Sequence, residues 1–361
     1  MKAIIIGAGI AGIATAIRLA VKGYNVEVFE ANAYAGGKLS EIELNGYRFD
    51  AGPSLFTMPQ YVDELFTLAG KPNPFKYQKL EVVCQYFYED GTKLTAYADE
   101  DKFAGEVAQI TNESAENVKR FFKHSRAIYN ITNHVFLERS LHRLKTFLSW
   151  DTVKSIFRFG KIDAFRTMHQ ANEAFFKDKH MVQFFDRYAT YNGSNPYRAP
   201  GTLNVIPHLE QHFGAYFPDG GMYNITKSLV ALAEILGVKF NYNSRVNYII
   251  LENKKVTGIT VTHTTIADEF HAADVVVSNM DVYFTYQKLL KAYPELQPKK
   301  ILKQERSSSA LIFYWGISKT FPQLDLHNIF LVLTIRPSLM PFGNSKPLPP
   351  ILRFTSTSVQ N

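Results

Sequence analysis

The chain has one cysteine, Cys84, in 361 residues. That excludes a disulfide framework and a cysteine-based zinc site, and it suits a reducing compartment. No run approaches the ~18 consecutive apolar residues of a spanning helix. No basic region followed by an apolar one precedes the first strand-like run, so no secretory leader is expected. No P-loop, Ser-His-Asp order or paired-carboxylate motif is present, which leaves no legible acid/base pair. His208 and His212 are spaced as neighbours on a helix, but no Glu stands between them in zinc-protease order and no third ligand is near, so no metal is expected. Acidic residues stop at Asp325 while Arg336, Lys346 and Arg353 follow. Aromatics, by contrast, abound: 28 Phe and 20 Tyr in a chain that is 46% hydrophobic. The net charge of +7 gives a mildly basic surface, which taken alone suits both nucleic acid and anionic lipid headgroups. The length suggests about two domains.

The N-terminus carries the most specific pattern. Lys2–Ile6 reads as a buried strand, Gly7-Ala8-Gly9-Ile10-Ala11-Gly12 as a turn, Ile13–Lys22 as a helix closed by Gly23, and Asn25–Phe29 as a second strand ending at Glu30. That order is what a dinucleotide needs. Gly7 permits the tight turn, Gly9 leaves room for a pyrophosphate, and Gly12 lets helix and strand pack closely. The helix N-terminus favours phosphate charge. Glu30 is placed to accept hydrogen bonds from the adenosine ribose. A second glycine pair, Gly36-Gly37, lets another backbone segment lie against the dinucleotide, with Lys38 in reach of its phosphates. Leu39–Leu44 and Tyr47–Asp50 around Asn45-Gly46 predict a hairpin. Asp50-Ala51-Gly52-Pro53-Ser54 is then a tight loop before a helix over Pro59–Ala69.

Together, Gly7–Gly12, Glu30, Gly36-Gly37-Lys38 and the run Phe49–Pro59 resemble the bacterial-type phytoene desaturases. These are carotenoid desaturases and related carotenoid and retinoid oxidoreductases of the flavin amine oxidase-like superfamily. The resemblance implies FAD as cofactor, bound by those residues with Gly52, Pro53 and Ser54. It further implies that the Gly220-Gly221-Met222 turn lies near the flavin and that Val246 meets the adenine end through its backbone. It covers approximately residues 1–330. Family members continue into a final Gly-rich strand–turn–helix, so a truncated or frame-shifted reading frame with weakened flavin binding and little polyene conversion is expected, with a genuine divergent tail as the alternative.

Further along, Gln85–Tyr97 reads as two strands around Glu89-Asp90-Gly91, and Asp99–Thr111 and Ala115–Thr132 read as helices. Asn133–Ala171 interleaves bulky apolar residues and Trp150 with Arg139, Arg143, Lys145 and other bases. That composition suits an interfacial helix, and it equally suits a packed helical lobe with a solvated basic face. Tyr188–Pro200 is a turn-rich loop whose tyrosines either line a cleft or cap a lobe. Tyr223–Leu236 predicts a helix, Val238–Tyr242 and Val246–Leu251 strands, and Lys254–His271 a hairpin. Ala273–Asn279 predicts a buried parallel strand that puts Ser278 and Asn279 at its C-terminal end, where such sheets bind ligands. Asp281–Leu290 reads as a helix, and Ser309–Ile317 as an aromatic strand facing the substrate.

The expected fold is α/β: a discontinuous, Rossmann-like FAD-binding domain with an inserted α+β substrate domain. The segments are 1–76 and 216–281 for flavin, 77–215 and 282–330 for substrate, and 331–361 as a departing tail. The resemblance implies carotenoid desaturation, with oxygen or a quinone as electron acceptor. It also implies a cytoplasmic protein peripheral on the membrane, with no nucleic-acid partner. A flavin oxidase of another substrate and an inactive flavin-domain fragment remain open.

Overall fold

The apolar N-terminal run forms strand β1 (Lys2–Ile6) at the centre of a parallel sheet. The computed structural model describes residues 1–133, 160, 162–263, 266–306, 310–331 and 351–355. After β1 come α1 (Ile10–Val21), β2 (Asn25–Phe29), β3 (Ser40–Leu44), β4 (Tyr47–Ala51), β5 (Phe56–Thr57), α2 (Gln60–Ala69) and β6 (Tyr77–Lys79). Next are β7 (Val82–Tyr88), β8 (Lys93–Tyr97), α3 (Glu100–Ile110), α4 (Ala115–Thr132), α5 (Met168–Phe175) and α6 (Lys179–Asp186). Then follow β9 (Ala215–Pro218), α7 (Tyr223–Ile235), β10 (Lys239–Asn241), β11 (Arg245–Glu252), β12 (Lys255–His263), β13 (Ile266–Ala272) and β14 (Val275–Ser278). β15 (His327–Leu331) and β16 (Ile351–Thr355) close the order.

The chain divides into two units. Among the described residues, the first comprises Met1–Gln78 and Tyr216–Glu305; the second comprises Lys79–Ala215 and those from Arg306 to Thr355. The sequence reading moves the chain out of the first unit at 282, but packing holds it there to Glu305. Leu289 is buried with Ile4 and Ile6, and the Tyr293 hydroxyl accepts the Leu251 N–H at 2.8 Å.

In the first unit the sheet order is β10-β2-β1-β14, all parallel, with Ile4 level with Glu27 and Val276. Both faces are covered, which is why β1 is apolar without alternation. Ala3 and Ile5 pack with Ile13, Ile17 and Leu229 of α1 and α7. Ile4 and Ile6 face the antiparallel sheet β11-β12-β13 through Ile249, Ile259 and Val261. α1 begins at Ile10, earlier than its apolar spacing predicts, because Gly9 is its N-cap and Gly12 lies inside it. The helix expected over Asp281–Leu290 is one short turn, Val282–Phe284, that widens into a π-turn over Thr285–Leu289.

The β3–β4 hairpin is tied to α7 by charge. Lys227 pairs with Glu41 at 2.8 Å, Glu41 with Arg48 at 2.8 Å, and Arg48 with Asp50 at 3.1 Å. Asp50 in turn accepts the Met222 and Tyr223 N–H groups at 2.9 and 3.1 Å, capping the helix. Burial pushes the Glu41 carboxyl up, but Lys227 and Arg48 outweigh it and hold the group below its ordinary 4.5.

The second unit carries the sheet β16-β15-β7-β8, in which β15 runs parallel to β7. Tyr86, Leu94 and Ile329 pack on Phe103, Phe122 and Phe184 of the helices. One ion pair lies inside this aromatic core. Arg187, 4% exposed, donates to Glu210, 1% exposed, at 3.1 Å. The Tyr188 and Tyr191 hydroxyls donate to the same carboxylate. The tyrosine loop therefore has a packing role there. His208 is buried and stacked on His212, with Tyr129 and Phe213 beside it.

The expected strand over Ser309–Ile317 is not formed: 310–317 has no regular structure. A strand needs a neighbour for its N–H and C=O groups and one face to bury. Leu311 is 82% exposed, Ile312 56% and Phe313 66%, so successive side chains on both sides lie open. The basic and apolar stretch within Asn133–Ala171, including Arg139, Arg143 and Lys145, falls mostly on 134–159 and 161, outside the described residues. So do 332–350 and 356–361 of the tail.

Two outcomes are expected from these contacts. Glu210→Ala leaves Arg187 charged and buried without its partner, and should cost about 3–5 kcal/mol in urea unfolding. A combined Arg187→Met, Glu210→Leu variant should lose much less, because neither charge then needs solvating. The stability contributed by Glu41 is present above pH 4.5 and is lost as pH falls below it through the lowered folded value. Glu41→Gln should therefore lower the melting temperature at pH 7, and the gap from the wild-type chain should close as thermal unfolding is followed into acid.

Candidate functional site

The crevice lies where β1 parts company with its neighbours. β2 follows β1 in sequence on one side, and β14 lies on the other, so their C-terminal ends open at a topological switch point. The Gly7–Gly12 turn and the Ser278-Asn279 end meet there.

The three glycines differ in why they are glycine. Gly7 has φ +97°, a conformation that side chains disfavour, and its N–H donates to the Phe29 carbonyl at 2.8 Å. A Cβ on Gly12 would lie 2.2 Å from the Gly7 carbonyl oxygen. Gly9 has neither reason. Its φ of −69° suits any residue, and among the described residues a Cβ there would come within 4 Å of one group only, the Asn279 side-chain nitrogen at 2.8 Å. A bare position without a backbone cause fits a group from outside the chain. The adjoining helix end agrees: no side chain caps α1 and no acidic residue stands in its first turn. Its N-terminal N–H groups lack helical partners and are positioned for an anion. The N-terminus of α7 contrasts with it, being filled by the Asp50 carboxylate.

Glu30 is 7% exposed and pins this turn. One carboxylate oxygen accepts the Ala8 N–H at 2.8 Å and the other accepts the Asn32 N–H at 2.9 Å. A carboxylate has about four acceptor positions, so two remain for ribose hydroxyls. Ser244 N–H donates to the Glu30 carbonyl at 2.8 Å, which brings the start of β11, and Val246 two residues on, to the same end. The Val246 side chain faces Ile4, Ile6 and Phe29.

The second glycine pair lies directly on the first turn. Gly36 N–H donates to the Ala8 carbonyl at 2.8 Å, and Gly36 bridges Gly9. A Cβ on Gly37 would lie 3.4 Å from the Gly9 Cα. Lys38 is exposed at the rim, and its carbonyl oxygen occupies the place of a Gly52 Cβ, 1.8 Å away. Pro53 is exposed and Ser54 half-buried on the run to β5. α7 holds this layer: the Tyr223 hydroxyl donates to the Ala35 carbonyl at 3.2 Å and Thr226 to the Leu39 carbonyl at 3.0 Å. The Gly220-Gly221-Met222 turn rests on Asp50 and Arg48, 2.7 and 2.8 Å from where a Gly221 Cβ would be.

The Ser278 hydroxyl pairs with the Thr285 hydroxyl at 2.8 Å, within the π-turn. Its neighbour Asn279 is the residue that reaches the glycines. Sequence order identifies that strand end but not which of the two side chains faces the turn. Asp50, Tyr223 and Thr226 carry no local signal for these contacts, since the partners lie more than 170 residues away.

The second unit carries an aromatic pair among polar neighbours on its sheet. On the face of its sheet away from the core, Phe87 and Phe330 stack at 4.7 Å and 11°, and the Lys93 ammonium lies 5.2 Å from the Phe87 ring centre. Gln85 and Thr95 are paired on the same face.

Comparison with known proteins agrees with the dinucleotide geometry. The family model described as flavin containing amine oxidoreductase matches residues 10–313. A 1-hydroxycarotenoid 3,4-desaturase from Flavobacterium sp. (strain P99-3) is 48% identical over 348 residues, 96% of this chain and 70% of that protein. A 4,4'-diapolycopene oxygenase from Methylomonas sp. is 32% identical over 332 residues, 91% of this chain and 65% of that protein. The chain thus spans about two thirds of the length of these relatives. Among solved structures, an oxidoreductase from Methanosarcina mazei matches with a TM-score of 0.56 and 19% identity over 82% of this chain and 63% of its own. A putrescine oxidase bound to putrescine matches at 0.53 and 16% over 80% and 60%. At such identities these two show the fold alone. The glycine cradle, the open α1 terminus and Glu30 fit FAD, and the chain belongs to the flavin-containing amine oxidoreductases, with FAD as cofactor.

Proposed function

We propose that this chain carries out FAD-dependent desaturation of a carotenoid, converting C–C to C=C within a polyene. The 48% identity to a carotenoid desaturase across 96% of the chain is the observation that carries this reading. Bound flavin supplies a hydride acceptor for an allylic C–H. The chain's own residues bind, orient and exclude water. Gly7, Gly9, Gly12 and the α1 N-terminus take the pyrophosphate, and Glu30 takes the ribose. Gly36, Gly37 and Lys38, with Gly52, Pro53 and Ser54, form the adjoining wall. Val246 lies toward the adenine end, and Ser278 shapes the turn that carries Asn279. The first unit serves the cofactor and the second the substrate, with the Phe87–Phe330 stack as an aromatic pair suited to a polyene. A polyene spreads along itself the positive charge left by hydride loss, and the proton then leaves the neighbouring carbon to a weak acceptor such as solvent, so no strong acid/base pair is needed near the reacting carbons. Oxygen or a quinone takes the electrons.

A carotenoid is water-insoluble, so this reading places the protein at a membrane surface on the cytoplasmic side. No helix among the described residues is long and apolar enough to cross a membrane. The sequence supplies Arg139, Arg143 and Lys145 for anionic headgroups, each contributing about 1 kcal/mol near such a surface.

Reconstitution tests the function. The FAD-loaded chain, given an acyclic hydroxylated carotenoid in liposomes, should yield products absorbing at longer wavelength. Amine-dependent peroxide release without polyene conversion overturns the reading. Gly9→Val should abolish flavin retention, and Glu30→Ala should weaken it by about 1–3 kcal/mol through loss of a charged acceptor. Charge reversal at Arg139, Arg143 and Lys145 should reduce sedimentation with phosphatidylserine vesicles; equal sedimentation removes the membrane placement.

A further inference from the structure

The geometry points to Asn279 as a direct ligand of the FAD pyrophosphate, and we propose that its side-chain N–H groups bind the phosphate oxygens over Gly9 and Gly12. This rests on the assignment of FAD to the glycine turn and adds to it a residue 270 positions beyond Gly9.

Three observations lead there. The Asn279 side-chain nitrogen lies 2.8 Å from the place of a Gly9 Cβ and 2.9 Å from that of a Gly12 Cβ, so it stands over the bare faces of both glycines. Among the described residues the nitrogen makes one long contact, 3.4 Å to the Gly7 carbonyl oxygen, at the weak end of hydrogen bonding. An amide nitrogen has two protons to donate, and this one is directed over a helix terminus that no side chain caps. The position is also held firmly. Asn279 N–H donates to the Ile6 carbonyl at 2.9 Å, continuing the β1–β14 ladder one step beyond the last paired strand residues. The side chain is thereby fixed across the switch point from Glu30. The site then has an acceptor for the ribose on the β2 side and a donor for the phosphates on the β14 side, with the α1 terminus between them.

The same distances admit a simpler role, in which Asn279 merely fills the space above Gly9. Two substitutions separate these roles. Asn279→Asp keeps the shape, removes the donors and brings a negative charge toward the phosphates. Asn279→Ala removes the filler and the donors together. The flavin-stripped full chain is titrated with FAD by fluorescence quenching, and separately with ADP, which keeps the pyrophosphate and adenosine without the flavin ring. Thermal unfolding of each ligand-free variant reports the fold.

The expected result is a loss of FAD and ADP affinity of about tenfold or more in Asn279→Asp, the range in which a hydrogen bond to a charged group falls. A smaller loss is expected in Asn279→Ala, with ligand-free melting unchanged in Asn279→Asp. The Asn279→Asp loss should shrink as sodium chloride is raised, because part of it is repulsion between charges. Wild-type affinity for FAD in Asn279→Asp, with Gly9→Val still abolishing binding, overturns the Asn279 assignment and leaves the FAD site standing. Failure of the wild-type chain to bind either probe overturns both. Weakened FAD binding with unaltered ADP binding also overturns the proposal, because the pyrophosphate is common to both.

Discussion

Bare backbone against bare backbone is the constraint on which this site depends. Gly36 bridges Gly9, Gly12 closes on the Gly7 carbonyl, and Gly52 closes on that of Lys38. At Gly12 and Gly52 these approaches leave no space for a Cβ, so several loops from one end of the sheet nest within hydrogen-bonding distance. Glu30 makes the nest permanent by taking the Ala8 N–H into a buried carboxylate. A backbone donor held that way is strongly paired, since the acceptor is ionised and little water competes. The result is a cradle lined with peptide groups, whose geometry is set by the sheet and not by flexible side chains.

The second unit meets a different problem. Its core is dominated by aromatic rings, yet it encloses the Arg187–Glu210 pair. An ion pair in such surroundings is weak evidence for added stability, because solvation is lost on both charges. Here the carboxylate also receives two tyrosine hydroxyls, and the guanidinium lies 4.1 Å from the Tyr188 ring centre. The cluster joins the end of α6 and the turn after it to the π-turn at Leu209–Phe213. Its directional contacts tie those pieces together at named atoms.

The cofactor half was legible because its signals are local. β1, the glycine turn and β2 follow one another within thirty residues, and each glycine or acid has its meaning from immediate neighbours. Asn45-Gly46 likewise marks its hairpin without help from elsewhere. The layer beneath was not legible. Asp50 caps a helix 172 residues away, and no spacing rule connects the two. The run at 310–317 failed for the opposite reason: its composition has strand propensity, but β character depends on a partner and a buried face, and among the described residues it has neither. Ser278 and Asn279 show the limit most finely. Sequence located the strand end, while the choice between adjacent side chains depended on the bend into the π-turn.

The β1–β14 pairing has a consequence for the life of the chain during synthesis. Lys2 meets Asp274, 272 positions further along the chain, and among the described residues the sheet has no shorter route to completion on that side. At ribosomal rates of about 5–20 residues per second, β1 waits roughly 14–55 seconds for its second neighbour to be made. Throughout that interval an apolar strand, destined to be covered on both faces, offers an open edge. Long-range parallel pairing of this kind is slow and exposed to aggregation. The nascent chain is therefore most vulnerable before residue 275 is made, and a holdase that shields the β1 edge over that period should raise the yield of native protein more than one acting after release.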